Sequence, residues 1–301
     1  NRRGFLCGSV ATIGAGMLLA SGGGPSRNLT IYDDSAGANG GGVALAGVSS
    51  EVGLTSAATA LVPGEPTLIQ LIIGDSISAN SGAAAYTPTN AAANQMLNPY
   101  TGLNWRYKDP VVGASTGPGS YPARIADKLI DDGDFDRVIT IDISMGGAAS
   151  SDFSKSGPFN HRFRVALQWA RLLGWPISGA ADSWRFAVIY NLGTNDNALN
   201  ISQAAFTANA LSCFDTLREY GCSAPIFIAK ASLLANDADI DTGIQAAQAA
   251  LVDNSLGRYV GADMDSLTTT INRQSGNYPH LTNTGNDALA ALWKTIFAAH
   301  Y

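Results

Sequence analysis

Ser76 stands in Gly74-Asp75-Ser76-Ile77-Ser78, directly after the apolar run Leu68-Ile69-Gln70-Leu71-Ile72-Ile73. A hydroxyl at the end of a buried strand lies at the carboxyl edge of a sheet, where open α/β folds place their chemistry. A serine there is a candidate nucleophile, and it needs a base to take its proton. The same residues also suit a helix N-cap. The chain has 3 histidines to serve as base: His161, His280 and His300. His280, in Asn277-Tyr278-Pro279-His280-Leu281-Thr282, falls between the last expected strand and the last expected helix and so returns to the edge that holds Ser76. It is the expected base. His161 opens an amphipathic helix and reads as a surface or packing residue. His300 sits in a last helical turn, where an imidazolium suits the helix dipole.

Acyl transfer also needs donors for a developing oxyanion. Two further strand ends carry them: Ser144-Met145-Gly146-Gly147-Ala148, and Gly193-Thr194-Asn195-Asp196. A glycine lets its backbone N–H approach a ligand closely, and Asn195 can present a side-chain amide. In the first loop Gly146 and Gly147 both offer such an N–H. Each loop alone reads as a turn. Four strand-end loops carrying a nucleophile, a base and two donors point together to ester or acyl chemistry.

These loops need a sheet to hold them in register. Near-continuous apolar runs at Leu68–Ile73, Arg137–Ile143, Phe186–Asn191, Pro225–Ala229 and Tyr259–Ala262 predict parallel strands covered on both faces. Helices are predicted over Pro122–Asp131, Phe159–Leu173, Gln203–Tyr220, Asp237–Val252 and Asn286–Ala299. The alternation implies an α/β fold, a three-layer α/β/α sandwich around a five-stranded parallel sheet. Residues 79–121 form a long connection in which Tyr100, Trp105 and Tyr107 either line a site or pack beneath it. The chain divides at residue 66. Residues 1–66 are a Gly/Ala/Ser-rich extension with short strands expected at Leu29–Tyr32 and Gly42–Leu45, and residues 67–301 are the catalytic domain.

On these residues the chain resembles the SGNH hydrolase superfamily, the GDSL esterases and lipases. Gly74-Asp75-Ser76-Ile77 matches the nucleophile block, Gly193-Thr194-Asn195-Asp196 the third block, and His280-Leu281-Thr282 with Gly285 the last; the glycine block aligns best at Gly147. The resemblance covers residues 67–301. It implies a flavodoxin-like sheet, Ser76 as nucleophile, His280 as base, and an oxyanion hole of the Ser76 N–H, the Gly147 N–H and the Asn195 amide. It further implies a serine esterase that needs no metal or organic cofactor and acts on small-molecule or polysaccharide esters, O-acetyl groups on carbohydrate above all. The chain departs from the pattern once. Three residues before the histidine, where the family has aspartate, stands Asn277. Either the site works as a Ser-His dyad, or Asp263 or Asp265 supplies the acid. Asp75 and Asp196 read as turn-shaping.

Composition narrows the partners. Across 301 residues the hydrophobic fraction is 46%, the charged fraction 14% and the net charge −6. That is globular and mildly acidic, which argues against nucleic acid or an anionic membrane surface. Arg2-Arg3 before the apolar run Val10–Ala20 reads either as a twin-arginine export signal or as a folded N-terminal element. The run is too short to span a bilayer. A secreted, periplasmic or surface-exposed protein, a virion component included, is the expectation. Of Cys7, Cys213 and Cys222, the last two either pair as a disulfide or stay buried thiols. A rival reading is an inactive carbohydrate-binding or structural module that joins an assembly through its extension. A nucleotide-binding domain is disfavoured because no glycine-rich phosphate fingerprint follows the first strand.

Overall fold

The computed structural model describes residues 50–115, 117–234 and 239–301. The expected signal or N-terminal element, the two short strands of the extension and Cys7 lie outside the described residues.

The eight residues of β1 (Thr67–Gly74) are all buried. Parallel neighbours flank it on both sides, β4 (Arg137–Asp142) and β6 (Trp184–Asn191), and they continue the apolar character. Side chains alternate between faces along a strand. Ile69, Leu71 and Ile73 therefore join the core under α2 (Asn160–Leu172), α4 (Gln203–Glu219) and α5 (Thr242–Leu251). Leu68 and Ile72 join the core under α1 (Pro122–Asp131) and α6 (Asn283–His300). Burying these five side chains contributes on the order of 10 kcal/mol before chain entropy is charged against it. The one polar side chain inside the run, Gln70, donates to Thr140 Oγ1 at 2.8 Å.

With β2 at Asn94–Leu97, β3 at Asn104–Arg106, β7 at Ile226–Lys230 and β8 at Arg258–Asp263, the sheet order is β3-β2-β4-β1-β6-β7-β8. The five predicted strands are all present, and in their own sequence order they run 2-1-3-4-5. The chain reverses its direction of winding at β1, so Ser76 leaves the sheet at a topological switch point.

The structure corrects the expected five-stranded sheet and the expected loop. A sixth parallel strand, β2 (Asn94–Leu97), pairs with β4, and β3 (Asn104–Arg106) pairs with β2 antiparallel. A two-residue strand, β5 (Ala180–Ala181), pairs with β6. The sequence hides β2 because half of it is amide. Asn94 Nδ2 donates to Ala123 O at 2.8 Å and to Asp127 Oδ1 at 2.9 Å, and Asn104 Nδ2 donates to Gln95 Oε1 at 2.7 Å. Those bonds make a polar strand tolerable in the interior.

The five predicted helices are present, α1 with the expected bounds and the other four with shifted ends. α5 starts at Thr242 because Asp241 caps it, accepting from Gly243 N at 2.7 Å and Ile244 N at 3.0 Å. α6 starts three residues early because Thr282 caps it. Tyr100 and Tyr107 are buried, and Trp105 donates from Nε1 to Glu51 at 3.1 Å, so these aromatics pack rather than line a site. Cys213 and Cys222 are free buried thiols, which excludes the disulfide; burial pushes the Cys222 thiol up to about 11. Residues 50–66 lie along the fold. Ser56 bridges Trp105 on the sheet edge, and the carbonyls of Thr59 and Val62 accept from the indoles of Trp175 and Trp184. Among the described residues no helix is long and apolar enough to cross a membrane.

Candidate active site

The turn that carries Ser76 is set by Gly74 and Asp75. A Cβ on Gly74 would stand 2.4 Å from Ser78 Oγ, so only glycine lets the chain fold back this tightly. Asp75 is fully buried, and its Oδ1 accepts from Ile77 N at 3.1 Å. The Ala79 and Ser81 amides donate to the Ser76 carbonyl, both at 3.2 Å. Residues 76–80 are turns and not a helix, so Ser76 is no N-cap. Beneath the turn a buried network braces it: Asn191 Nδ2 donates to Ser78 Oγ at 2.9 Å, and Ser78 Oγ and the Tyr121 hydroxyl share a 3.0 Å bond.

The Ser76 hydroxyl faces His280, with Oγ to Nε2 at 2.9 Å. On the far side of the ring, Nδ1 lies 3.1 Å from Asn277 Oδ1. The carboxylates weighed as substitutes for the missing acid are committed elsewhere. Asp265 accepts from the Ser232 and Leu233 amides, the Ser232 hydroxyl and Gln245 Nε2, and Asp263 pairs with Lys230 at 3.1 Å. Asn277 is the residue that meets the imidazole. The loop that carries both is held from below by Arg273, which is fully buried and donates to the carbonyls of Leu267, Met264 and Pro279. Thr282 then accepts from Gly285 N at 3.0 Å and starts α6. The histidine block thus spells a base, a buried anchor at Leu281 and a cap.

Burial holds the His280 imidazole below its ordinary range, and the Arg273 cation pushes the same way against hydrogen bonding to Asn277. The ring is therefore neutral near pH 7, as a base must be.

The two glycines differ in what their amides bond to. The Gly146 amide already donates to Ser115 Oγ at 2.8 Å. The amides of Gly147 and Ser76 donate to no group among the described residues. Gly147 lies in a left-handed turn at φ +79°, closed by Ala148 N donating to Met145 O at 3.1 Å. Asn195 belongs to a short helix after β6, α3 (Thr194–Ala198), and spends one amide proton on Ala148 O at 3.1 Å, which ties the two loops together. Gly193 before it has φ +147°, and a Cβ there would stand 1.9 Å from Ala231 O. Only glycine can turn the chain from β6 into α3.

The remaining candidates stay outside the site. His300 packs among Tyr259, Phe227 and Tyr301 at the end of α6. Asp196 is buried and accepts from the Ser150 amide at 3.0 Å, bracing the Asn195 loop. Asp75 is pushed up to about 7 by burial, with the Asp196 charge adding to the effect. Three residues that matter here escape a sequence reading: Gln274, which accepts from Asn277 Nδ2 at 3.0 Å, Arg273, and Ser115. Nothing in their neighbourhood in sequence distinguishes them from ordinary loop residues.

No family model matches the chain, and no curated protein sequence matches it significantly. Solved structures do. A protein from Arabidopsis thaliana is 14% identical with a TM-score of 0.58, over 78% of this chain and 99% of its own. NanS is 11% identical with a TM-score of 0.49, over 80% of this chain and 99% of its own. A carbohydrate esterase of family 3 from Talaromyces cellulolyticus is 12% identical with a TM-score of 0.45, over 77% and 97%. The strand order and the likeness to the Arabidopsis structure agree: the chain has a three-layer α/β/α fold around a mainly parallel sheet, with Ser76 at its switch point.

Proposed function

We propose that the protein is a serine esterase that cleaves carboxylic esters through an acyl-enzyme. His280 Nε2 takes the proton of Ser76 as Oγ attacks the ester carbonyl. The carbonyl oxygen becomes an oxyanion held by the N–H groups of Ser76 and Gly147 and by the Asn195 amide. The tetrahedral species collapses, the C–O bond to the alcohol breaks, and the imidazolium protonates the leaving oxygen. Water then gives a proton to His280 as it attacks the acyl carbonyl, and the acid leaves with Ser76 restored.

The 2.9 Å contact between Ser76 Oγ and His280 Nε2 is the observation that carries this reading. It also weighs against the inactive-module rival, which needs those side chains apart. The substrate we propose is a small acyl group, acetate on carbohydrate, on the strength of the sequence blocks shared with that superfamily. An extracytoplasmic location is supported by Arg2-Arg3 and the apolar run to Ala20. The test is turnover of p-nitrophenyl acetate against p-nitrophenyl octanoate, in wild type beside Ser76→Ala. Acetate turnover that vanishes in the variant is expected. A folded protein that turns over neither ester contradicts the proposal.

A further inference from the structure

We infer that Gln274 is a positioning residue that sets the tautomer of the catalytic base, and so lets Asn277 stand where an aspartate would otherwise orient it. The inference rests on the esterase reading above. Its physical basis is the direction in which each hydrogen bond can run.

Both protons of the Gln274 amide are assigned. Nε2 donates to the Ser81 carbonyl at 3.0 Å and to the Leu281 carbonyl at 2.9 Å. Backbone carbonyls can only accept, so the Gln274 amide has one orientation and its Oε1 points the other way. That oxygen meets the Asn277 amide at 3.0 Å. Oε1 can only accept, so Asn277 must present Nδ2 to it and Oδ1 to His280. The Asn277 oxygen, 3.1 Å from His280 Nδ1, can also only accept. The proton of the neutral imidazole is therefore on Nδ1, and the Nε2 lone pair faces the Ser76 hydroxyl. Two backbone carbonyls thus dictate, through two amides, which nitrogen acts as base.

The ring of bonds closes on the nucleophile. Ser81, whose carbonyl anchors Gln274, donates its own amide to the Ser76 carbonyl at 3.2 Å. Gln274 also donates its backbone amide to the His280 carbonyl at 2.9 Å. Its main chain and side chain thus brace the base loop internally, and its bond to Ser81 fastens that loop to the nucleophile turn. An aspartate needs no such device, because its two oxygens are equivalent acceptors. An asparagine does, since a flipped amide would offer Nδ2 to Nδ1 and put the imidazole proton on Nε2, where it blocks catalysis.

The experiment has two readouts. The first is the ¹⁵N spectrum of selectively labelled His280 in the wild-type protein. A protonated Nδ1 and an unprotonated Nε2 near pH 7 are expected, and a protonated Nε2 overturns the inference whether or not any ester is turned over. The second compares kcat/KM for p-nitrophenyl acetate, from pH 4 to pH 9, in wild type, Gln274→Met, Asn277→Asp and the double variant. Gln274→Met is expected to lose about 10- to 100-fold, less than the ~10²–10⁴ that general-base catalysis itself supplies, and to show mixed tautomers. In the Asn277→Asp background the same Gln274→Met change is expected to cost less than about 3-fold, because a carboxylate has no wrong orientation. An equal loss in both backgrounds marks Gln274 as a packing residue only and overturns the inference. If Gln274→Met does not fold, the wild-type spectrum still decides. If no variant or wild type turns over ester while Nδ1 carries the proton, the esterase reading fails and the tautomer assignment stands.

Discussion

Asn277→Asp restores a charge to a geometry that is already in place. The Asn277 oxygen lies 3.1 Å from His280 Nδ1, so the charge centres of a carboxylate and an imidazolium there are about 4 Å apart. At that distance the attraction is ~1 kcal/mol in water and ~4 kcal/mol at an effective dielectric of about 20. Asn277 is exposed and His280 only half-buried, which places the pair near the lower end, about 1–2 kcal/mol. Two consequences follow from one number. The imidazolium formed in the transition state is stabilised, so kcat on the alkaline plateau rises by about 10-fold. The His280 pKa rises by about one unit, so the acid limb of the profile moves up by the same amount. Gln274 Oε1 tempers the gain, because it faces a second acceptor once the amide is gone. The assay is kcat against pH for p-nitrophenyl acetate, in wild type and variant. A fall in plateau kcat, or an acid limb that does not move, would refute the view that Asn277 orients the base.

The other expectations concern the base, the nucleophile, the buried acids and the Asn195 loop. Because burial depresses His280, the wild-type acid limb should fall below the ordinary imidazole value of about 6.5, read from kcat/KM against pH; a limb above 7 contradicts it. Ser76→Ala should abolish turnover and leave Tm within about 2 °C, since no other side chain depends on that hydroxyl besides His280. Asp75, Asp109 and Asp142 are each pushed up to about 7 by burial. Their unfolded values are near 4, so the unfolded chain binds fewer protons between about pH 4 and 7 and stability falls across that window as pH rises. His280 opposes this weakly, and calorimetry should give a higher Tm at pH 5 than at pH 8. Gly193→Ala should cost more than about 3 kcal/mol, read by denaturant unfolding, because φ +147° and a carbonyl 1.9 Å from the added Cβ both forbid it.

What the sequence reveals is what period and punctuation encode. The apolar runs of β1, β4 and β6 are legible because parallel strands buried on both faces have no alternation to blur them. The glycines before Ser76 and Asn195 are legible because chain reversals leave few alternatives. β2 is not, because two of its four residues are amides, and Asn94 is tolerated in the interior only through long-range bonds to Ala123 and Asp127. The start of α6 is misjudged by three residues because Thr282 and not a nearer polar residue supplies the cap. Within the site, Ser76, His280, Gly147 and Asn195 are named by their positions at strand ends. The relation between Asn277 and Gln274 is invisible at that level. It depends on the direction of hydrogen bonds to two carbonyls, one of them in a loop nearly two hundred residues earlier in the chain. The alignment favours Gly147 over Gly146, but the physical reason, the bond that the Gly146 amide already donates to Ser115, is not legible in the sequence.

The most direct test of the central claim is covalent. The protein is incubated with a p-nitrophenyl alkylphosphonate, which phosphonylates an activated serine and releases p-nitrophenol, and the adduct is mapped by mass spectrometry of the intact chain and its peptides. One phosphonyl group per chain, located on Ser76, absent from Ser76→Ala and slowed strongly in His280→Ala, is the expected result. A folded wild-type protein that takes up no phosphonyl group, or takes it up at another residue, would contradict the assignment of Ser76 as the nucleophile of an esterase.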